Sequence, residues 1–367
     1  MVKDTRLFML EGLPGTGKTT NSYYLYRQLE RNQKRIKWIH EVTQPHPTLF
    51  FNEACLTRSE YEGFVVKYPK TVEVFSRIAE FRQNTIGIDL LEIEWNYIDR
   101  IDTDAFTELK KFDVFKFSIE QYQEAALDKW SYFVEKALKE HGVIYILDSS
   151  ILQYQIFTFL LKNEDYDKLE QFLQKLVEII QPLNPSLIYF YREHADDSID
   201  YLEKTRGTKF LEDIRERDKA EPYYTQKPQG AEGFRMFLRD YEDFAQRLFE
   251  HMDCRKLAIE ITKQDWSSYE LQILGFAGIE YKPDNTALPI EGLYFNDDLQ
   301  AEIEIKGLNM KDPFGNNRKL TAKSNNEFYV ECLPVVLRFD ENGNILITGT
   351  TICERWTTTG TLFMKRR

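Results

Sequence analysis

A glycine-rich stretch near the N-terminus has the residue types and spacing of a phosphate-binding loop. Met9–Thr20 reads MLEGLPGTGKTT and fits the pattern G-x-x-x-x-G-K-[ST] at every fixed position. In such a loop the glycines let backbone N–H groups wrap an anion, the lysine reaches the β- and γ-phosphates, and the following hydroxyl binds Mg²⁺. The residues predicted to bind the nucleotide are Gly12, Pro14, Gly15, Thr16, Gly17, Lys18, Thr19 and Thr20. The motif predicts a triphosphate site with Lys18 as a catalytic residue and Thr19 as a metal ligand; the alternative is a glycine-rich turn that matches by chance.

Two carboxylates lie at the ends of predicted strands. Asp148 ends the apolar run VIYILD and is predicted to hold Mg²⁺ or its waters. Glu41 lies at the C-terminal end of a predicted strand, Arg35–Val42, and open parallel sheets bind ligands beyond the carboxyl ends of their strands. We therefore predict that Glu41 is catalytic and orients or deprotonates an acceptor hydroxyl. The alternatives are a strand-end cap for Asp148 and an exposed strand-end charge for Glu41.

Three arginines lie in a highly charged segment, residues 206–230. Arg206, Arg215 and Arg217 follow the helix predicted after the fourth strand. Guanidinium groups on a mobile lid neutralise charge in a phosphoryl-transfer transition state. We therefore predict that this segment is a lid and that the three arginines are catalytic. The alternative is a solvated helix of mixed charge, because acidic residues are interleaved with the arginines.

Alternating strand and helix patterns position these residues. Apolar runs of strand length alternate with amphipathic helical patterns, which predicts a parallel sheet covered by helices on both faces. The fold class is therefore α/β, with a five-stranded parallel sheet flanked by helices within residues 1–279. The five predicted strands are Arg6–Gly12, Arg35–Val42, Val143–Asp148, Ser186–Tyr191 and Lys256–Ile261.

A long segment rich in aromatic residues interrupts this pattern. Residues 45–142 have a mostly helical pattern. We predict that an insert over about residues 50–142 binds an acceptor molecule, because aromatic rings stack on flat molecules. The alternative is that the rings form a hydrophobic core. The aromatic candidates are Phe50, Phe51, Phe64, Phe75, Phe81, Trp95, Tyr97 and Trp130.

The sequence changes character after Ile279. The stretch YKPDNTALP is typical of a linker, and residues 291–367 alternate between apolar and polar residues as antiparallel strands do. The turn DENGN, Asp340–Asn344, indicates a hairpin. We predict a small antiparallel all-β domain over residues 285–367. Four roles are open for it: covering the pocket, adding substrate specificity, forming a homodimer, or stabilising the chain passively.

The composition argues against several classes of partner. The 367 residues carry a formal net charge of −12, and nucleic-acid polymers and anionic membranes favour basic surfaces. The four cysteines are scattered without a C-x-x-C pair, which is typical of reduced cytosolic thiols. The N-terminus lacks the apolar core of a signal peptide, and the apolar runs are too short to cross a bilayer. We expect a cytoplasmic protein with a small-molecule partner and no affinity for nucleic-acid polymers or membranes.

The layout of these motifs resembles the thymidylate kinase and deoxynucleoside kinase branch of the P-loop kinases over about residues 1–279. In that branch the phosphate loop follows the first strand, as Gly12–Thr19 does, and an acid follows the second strand, as Glu41 does. A helical acceptor-binding region precedes the motif that corresponds to Asp148, and an arginine-bearing lid corresponds to residues 206–217. The resemblance implies a P-loop NTPase fold, ATP and Mg²⁺ as cofactors, and phosphoryl transfer to the hydroxyl or phosphate of a small molecule. The implied acceptors are a nucleoside, a nucleotide or a hydroxylated natural product.

Two positions differ from that branch. Ser149 follows Asp148 where these kinases commonly carry an arginine that contacts phosphates. The segment EVTQPHP stands where thymidylate kinases carry Arg-Glu-Pro-Gly. Both differences argue against thymidylate as the acceptor.

Other classes of nucleotide-binding protein fit the motifs less well. The text ILDSS lacks the Asp-Glu pair of hydrolysing motors, and the Asn-Lys-x-Asp motif of small GTPases is missing. The alternative to a kinase is a nucleotide-dependent regulatory ATPase that acts on a protein partner through the β domain.

Overall fold

The computed structural model describes residues 5–366, in which strands and helices alternate before a final region of strands. The strands are β1 (Leu7–Gly12), β2 (Arg35–Ile39), β3 (Glu53–Thr57), β4 (Ala79–Phe81), β5 (Thr85–Asp89), β6 (Val143–Asp148), β7 (Pro185–Tyr191), β8 (Arg255–Glu260), β9 (Gly292–Asn296), β10 (Ala301–Lys306), β11 (Asn309–Lys311), β12 (Asn317–Ala322), β13 (Glu327–Val330), β14 (Val335–Phe339), β15 (Ile345–Gly349) and β16 (Leu362–Lys365). The α-helices are α1 (Lys18–Arg31), α2 (Arg58–Lys67), α3 (Thr71–Ile78), α4 (Leu90–Asn96), α5 (Thr103–Leu109), α6 (Ile119–Lys139), α7 (Gln153–Leu161), α8 (Tyr166–Ile180), α9 (Ala195–Arg206), α10 (Thr208–Arg217), α11 (Gly230–His251) and α12 (Trp266–Ala277). Between residues 5 and 366, no helix combines the length and the apolar character that crossing a lipid bilayer requires.

Five strands form a parallel sheet in the order β2-β6-β1-β7-β8. Every neighbouring pair in this sheet is parallel. Leu10 of β1 lies opposite Asp148 of β6, and Gly12 lies opposite Phe190 of β7. The carboxyl ends of these strands therefore meet at one edge. The prediction of a five-stranded parallel sheet flanked by helices is confirmed.

Alternate residues of β1 face two different cores. Leu7 and Met9 belong to a core with residues of α6, α8 and α11, whereas Phe8 and Leu10 belong to a core with residues of α1 and α12. The two cores arise because successive side chains of a strand point to opposite faces of the sheet. All residues of β1 are buried. A strand covered on both faces has a continuous apolar sequence, which is why β1 could be predicted from the sequence.

The segment between β2 and β6 holds an antiparallel sheet as well as helices. Its three strands are ordered β3-β5-β4, and together with α2–α5 they enclose a small core of their own. The prediction of a mostly helical insert missed these strands. Each of β3 (EACLT) and β5 (TIGID) is a five-residue run. Periodicity does not distinguish a strand from a helix in runs this short.

The C-terminal strands close into an eight-stranded antiparallel barrel, in the order β10-β11-β12-β13-β14-β15-β16-β9. The predicted antiparallel β domain is confirmed, and the pairing of β9 with β16 that closes it is a feature the prediction lacked. The hairpin indicated by DENGN joins β14 to β15, and the backbone N–H of Asn344 donates to Asp340 Oδ1 at 2.8 Å. Side chains such as Tyr294, Ile303 and Leu337 fill the interior, so the barrel has a packed core.

The barrel packs against α1 of the sheet region. The Lys323 ammonium donates to Glu30 Oε1 at 2.8 Å, and the Tyr329 hydroxyl donates to Glu30 Oε2. The Tyr26 and Tyr329 rings contact edge to face with their centroids 5.6 Å apart. Helix α1 therefore lies between the parallel sheet and the barrel.

Candidate functional site

The loop between β1 and α1 leaves no room for side chains at two of its glycines. Gly12 has a φ of 147°, and a Cβ there would lie 2.4 Å from the carbonyl oxygen of Phe190. Gly17 has a φ of 85°, and a Cβ there would lie 2.9 Å from the ring of Trp266. Residues with a Cβ rarely adopt such positive φ values. Both the backbone path and the close neighbours therefore require glycine at these positions.

Helix α1 begins at Lys18 with its N-terminus in this loop. Its N-cap residue, Gly17, makes no side-chain capping bond, so the N–H groups of the first turn lack a side-chain acceptor there. The Thr16 hydroxyl donates to the Leu13 carbonyl oxygen at 2.7 Å and holds the loop in its bend. Free N–H groups and the positive end of the helix dipole both favour an anion at this position.

Lys18 is buried among carboxylates at the start of α1. Its ammonium donates to the Leu13 carbonyl oxygen at 2.9 Å. Burial lowers the pKa of Lys18, and three nearby negative charges oppose that change. The carboxylates responsible, from the largest effect to the smallest, are Glu41, Asp148 and Glu11. The structure therefore brings together the predicted residues Lys18, Glu41 and Asp148.

Asp148 ends β6 fully buried and keeps one carboxylate oxygen unpaired. Its Oδ1 accepts a hydrogen bond from the Ser149 hydroxyl at 3.2 Å, whereas Oδ2 has no hydrogen-bond partner. Burial and the charge of Glu41 raise the pKa of Asp148, while His40, the Thr19 hydroxyl and the Lys18 ammonium lower it, in that order of effect. An unpaired carboxylate oxygen beside a threonine hydroxyl is a suitable ligand pair for Mg²⁺. The residues at this position fit the predicted metal.

Few protein ligands for a metal ion surround Asp148 in the part of the chain that the structure describes. Residues 5–366 contain no group of three or more His, Cys, Asp or Glu side chains that could hold a metal ion. Mg²⁺ commonly binds one or two protein oxygens and takes its other ligands from phosphates and water. Thr19 and Asp148 therefore suit a metal that arrives with a nucleotide.

The residue after Asp148 has a strained backbone. Ser149 has a φ of 60°, in the left-handed region, and its N–H donates to the Leu10 carbonyl oxygen at 3.0 Å. A non-glycine residue in this region stores about 1–3 kcal/mol of strain, and such residues cluster at functional sites. This turn carries the chain from β6 towards α7.

Glu41 is hydrogen-bonded to the first residue of α7, and its charge opposes the effect of burial, which lowers the pKa of Lys18. The Gln153 Nε2 group donates to Glu41 Oε2 at 3.3 Å. Gln153 also lines a cavity, and its Oε1 atom is buried without a partner. One side chain therefore contacts Glu41 on one side and the cavity on the other.

Glu11, which the sequence-based prediction did not single out, lies fully buried in β1 immediately before the loop. Its carboxylate accepts the backbone N–H groups of Ile151 at 2.7 Å and Gln153 at 3.0 Å. Burial raises the pKa of Glu11 to about 7, against the opposing effects of these hydrogen bonds and of Lys18. An acid inside the apolar run LFMLEG was the signal that could have identified it. Through these two hydrogen bonds, Glu11 holds the residues at the start of α7 next to β1, the central strand of the sheet.

The predicted lid contains a helix and a short turn. Helix α10 is followed by a 3₁₀ turn at Pro222–Gln226. Arg206, the last residue of α9, is exposed. Its positive charge adds to burial in lowering the pKa of Lys18. The structure thus places Arg206 close enough to the loop to influence its lysine.

The other two predicted arginines are engaged in contacts within the lid. Arg215 is buried in α10, where its Nε donates to the Pro228 carbonyl oxygen at 3.0 Å and its guanidinium lies 4.1 Å from the centre of the Tyr224 ring. Arg217 makes two hydrogen bonds of 2.6 Å with the carboxylate of Asp218. These contacts shape the lid, and a direct role of either arginine in catalysis stays a prediction.

A cavity of about 560 Å³ opens beside Gln153. Its size is that of a site for a small organic molecule. The wall comes from the insert, from α7 and from the chain around the end of α10. Of the aromatic residues predicted to bind an acceptor, Phe51 lies in this wall. The aromatic side chains of the wall are Phe51, Phe115, Phe117, Tyr122, Tyr154 and Phe157.

The other predicted aromatic residues lie elsewhere. Phe50 and Trp130 belong to the core against the parallel sheet, and Phe64 and Phe75 belong to the small core of the insert. For these four rings the alternative prediction, that the aromatic residues form a hydrophobic core, is confirmed. The remaining candidates, which do not line the cavity, are Phe81, Trp95 and Tyr97.

Comparison with known proteins assigns no family to the chain. Its sequence matches no protein-family model. A search of curated proteins likewise gives no match. The function is therefore inferred from the geometry of the site.

Proposed function

We propose that the protein is an ATP- and Mg²⁺-dependent P-loop kinase that transfers the γ-phosphoryl group to the hydroxyl or phosphate of a small molecule bound in the cavity. The observation that carries the proposal is the position of Glu41. Its charge acts on Lys18 of the glycine loop, and its carboxylate is hydrogen-bonded to Gln153 of the cavity wall. A phosphate-binding loop joined in this way to a cavity for an organic molecule supports transfer between two bound molecules.

The donor half of the proposed site consists of the loop, the start of α1 and Asp148. The N–H groups at the N-terminus of α1 and the Lys18 ammonium would bind the β- and γ-phosphates. Thr19 and Asp148 would hold Mg²⁺, because Asp148 Oδ2 is buried and unpaired. When bound, Mg²⁺ supplies neutralisation of the phosphate charges. The preference for ATP over GTP is an expectation from the resemblance to thymidylate and deoxynucleoside kinases.

The chemical step exchanges one phosphorus–oxygen bond for another. The bond from the γ-phosphorus to the oxygen that bridges to the β-phosphate breaks, and ADP leaves with that electron pair. A bond forms between the γ-phosphorus and the acceptor oxygen. When the acceptor is a hydroxyl group, its proton passes to Glu41 and then to water. Gln153 positions the Glu41 carboxylate, and Arg206 adds positive charge beside the transferring group.

The decisive experiment follows the γ-phosphoryl group into a product. The protein is incubated with metabolite extracts and ATP that carries ¹⁸O on the γ-phosphate, and mass spectrometry detects metabolites that gain one labelled phosphate. We expect at least one such product, and none when Mg²⁺ is chelated. Release of labelled inorganic phosphate with no labelled organic product contradicts the proposal.

A second candidate function, a nucleotide-dependent regulatory ATPase, is favoured by the position of the barrel. Cys332, in the turn between β13 and β14, has its Sγ 3.8 Å from the Thr20 hydroxyl at the start of α1. The backbone N–H of Cys353 donates to the Val42 carbonyl oxygen at 3.0 Å, next to Glu41. Contacts this close would let a change in the loop reach the barrel surface. Phosphate release that needs no acceptor and responds to a protein partner would support this function.

A further inference from the structure

The charged side chains that line the cavity are all paired with each other. The Lys162 ammonium donates to Glu221 Oε2 at 3.1 Å. Arg217 is held by Asp218 through two hydrogen bonds of 2.6 Å. Within residues 5–366 these two cations are the only lysine or arginine side chains in the cavity wall. The wall therefore presents no unpaired positive charge.

A phosphorylated acceptor would need such a charge. A phosphate monoester carries close to two negative charges near neutral pH, and proteins bind it through free guanidinium or ammonium groups or free backbone N–H groups. Breaking one of the pairs to release a cation would leave a carboxylate unpaired next to the ligand. Two neighbouring negative charges repel each other, which weakens binding of the phosphate. The cavity as built disfavours an anionic acceptor.

Two hydroxyl groups of the aromatic wall are also satisfied internally. The Tyr122 hydroxyl donates to Gln155 Oε1 at 2.5 Å. The Thr158 hydroxyl donates to the Tyr154 carbonyl oxygen at 2.9 Å. With these groups engaged, the wall offers mainly ring and aliphatic surface. Such a wall binds a ligand through the burial of apolar area and ring contacts.

One buried side-chain oxygen of the wall is left without a partner, and it belongs to the residue that binds Glu41. Gln153 Oε1 is buried and unpaired, while Nε2 of the same side chain binds Glu41. A carbonyl oxygen accepts a hydrogen bond and suits a hydroxyl donor. A hydroxyl group bound beside Gln153 would therefore lie close to Glu41.

The exposed ring of Phe115 also indicates that the cavity binds a ligand. Its side chain lines the cavity and is nevertheless 56% exposed. Its ring lies 6.5 Å from the Tyr154 ring, centroid to centroid, so the two rings form one side of the wall. An exposed aromatic ring at the mouth of an apolar cavity gains most from a ligand that covers it.

From these features we infer that the acceptor is an uncharged molecule with an apolar, ring-containing body and a free hydroxyl group, and that phosphate monoesters are excluded as acceptors. The inference rests on the proposed kinase function and narrows the range of acceptor molecules. Among the acceptor classes, it selects an alcohol over a nucleotide. Paired charges exclude the phosphate, and Gln153 Oε1 selects the hydroxyl.

The first test compares matched ligands by equilibrium binding, which requires no catalysis. Calorimetry measures the binding of uncharged aromatic alcohols with one, two and three fused rings, and of the phosphate monoester of each. We expect at least one alcohol to bind, and to bind about 10-fold or more tightly than its monoester, which corresponds to the loss of one favourable polar contact. Binding of no alcohol in the series, or tighter binding of a monoester, overturns the inference.

Phe115→Ala tests whether these ligands occupy the cavity. Removal of an exposed ring should leave the fold intact and weaken alcohol binding about 10-fold, because apolar contact area is lost. Phe314→Ala is the matched control, since Phe314 is 67% exposed in the barrel region and does not line the cavity. Equal affinities of the two variants for the alcohol place it outside the cavity and overturn the inference.

Glu221→Gln tests the exclusion of phosphate directly. The substitution removes the charged partner of Lys162, so we expect the ratio of monoester affinity to alcohol affinity to rise about 10-fold. Glu73→Gln is the control, because Glu73 pairs with Arg77 at 3.0 Å outside the cavity wall. An affinity ratio that stays the same in Glu221→Gln shows that charge pairing is not what excludes phosphate.

The two proposals fail in different ways. If the alcohol binds in the cavity but gains no phosphate from ATP, the kinase proposal is wrong while the ligand class stands. If labelled phosphate appears only on monoesters, the kinase proposal stands and the alcohol inference is wrong.

Discussion

The glycine loop and the aromatic cavity differ in how their charged groups are paired. At the loop, α1 begins without a side-chain cap and Asp148 keeps an unpaired buried oxygen. In the cavity, Lys162 and its neighbouring cation are both paired with carboxylates. Unpaired buried groups are costly, so they persist where a ligand completes them. Under the proposed function, this difference suits the loop to a charged nucleotide and the cavity to a neutral acceptor.

The two regions also differ in how their residues are brought together. The loop residues follow one another in the chain, and their geometry comes from glycine φ values and the start of α1. The cavity wall combines residues of the insert, of α7 and of the chain around the end of α10. Substitutions in the loop should therefore affect chemistry, whereas substitutions in the wall should affect which molecule is bound.

The largest effect is expected at the charged side of this comparison. Lys18→Ala should lower the rate of phosphoryl transfer about 10³-fold, because a buried positive charge beside the transferring group is lost. Transfer rates measured with a known acceptor test this. Lys34→Ala, at an exposed position just after α1, is the control and should keep the wild-type rate. Unchanged turnover in Lys18→Ala would contradict a role of the glycine loop in phosphoryl transfer.

The buried acid beside the loop should make stability depend on pH. Burial raises the pKa of Glu11 from its ordinary value of 4.5 to about 7, so the folded chain holds this proton more tightly than the unfolded chain. The free energy of unfolding should therefore fall as pH rises from about 4.5 to about 7 and then level off, with a total change of about 3 kcal/mol from this group.

Denaturation curves between pH 4.5 and pH 8 measure this contribution when the wild type is compared with Glu11→Gln. The variant lacks the titrating group, so the stability difference between the two proteins should change across the window. Parallel pH profiles would show that Glu11 keeps an ordinary pKa.

The smallest catalytic effect is expected at the junction between the two regions. Glu41→Gln should lower turnover about 10²-fold, because the amide cannot accept the acceptor proton. Binding of MgATP should stay close to that of the wild type, since the loop and Asp148 are unaltered. Turnover and nucleotide affinity, measured separately, check this. A wild-type rate would leave Glu41 with only a positioning role next to Gln153.

Features encoded by neighbouring residues could be predicted from the sequence. The strand Val143–Asp148 has the predicted bounds, because a strand buried on both faces is a continuous apolar run. The hairpin at Asp340–Asn344 was indicated by its own turn residues. The strands β3 and β5 were missed, because runs of five residues lack a distinctive period.

Partners that are distant in the chain could not be predicted. Gln153 and Glu41 are 112 positions apart, and nothing in either neighbourhood indicates their contact. In the sequence, Arg215 cannot be distinguished from any other arginine of a charged helix. Its contacts with the Tyr224 ring and the Pro228 carbonyl oxygen are seen only in the structure. The pairing of charges in the cavity wall depends in the same way on how helices pack.

The sequence by itself determined the glycine loop, the parallel strands beside it and the antiparallel character of the C-terminal region, because local backbone preference and apolar periodicity encode them. Only the tertiary structure decided which charges are paired and which stay free. The free-energy cost of a polar group depends on its burial and on contacts with residues distant in the chain. The unpaired oxygen of Asp148 and the paired ammonium of Lys162 therefore became apparent only in the folded chain.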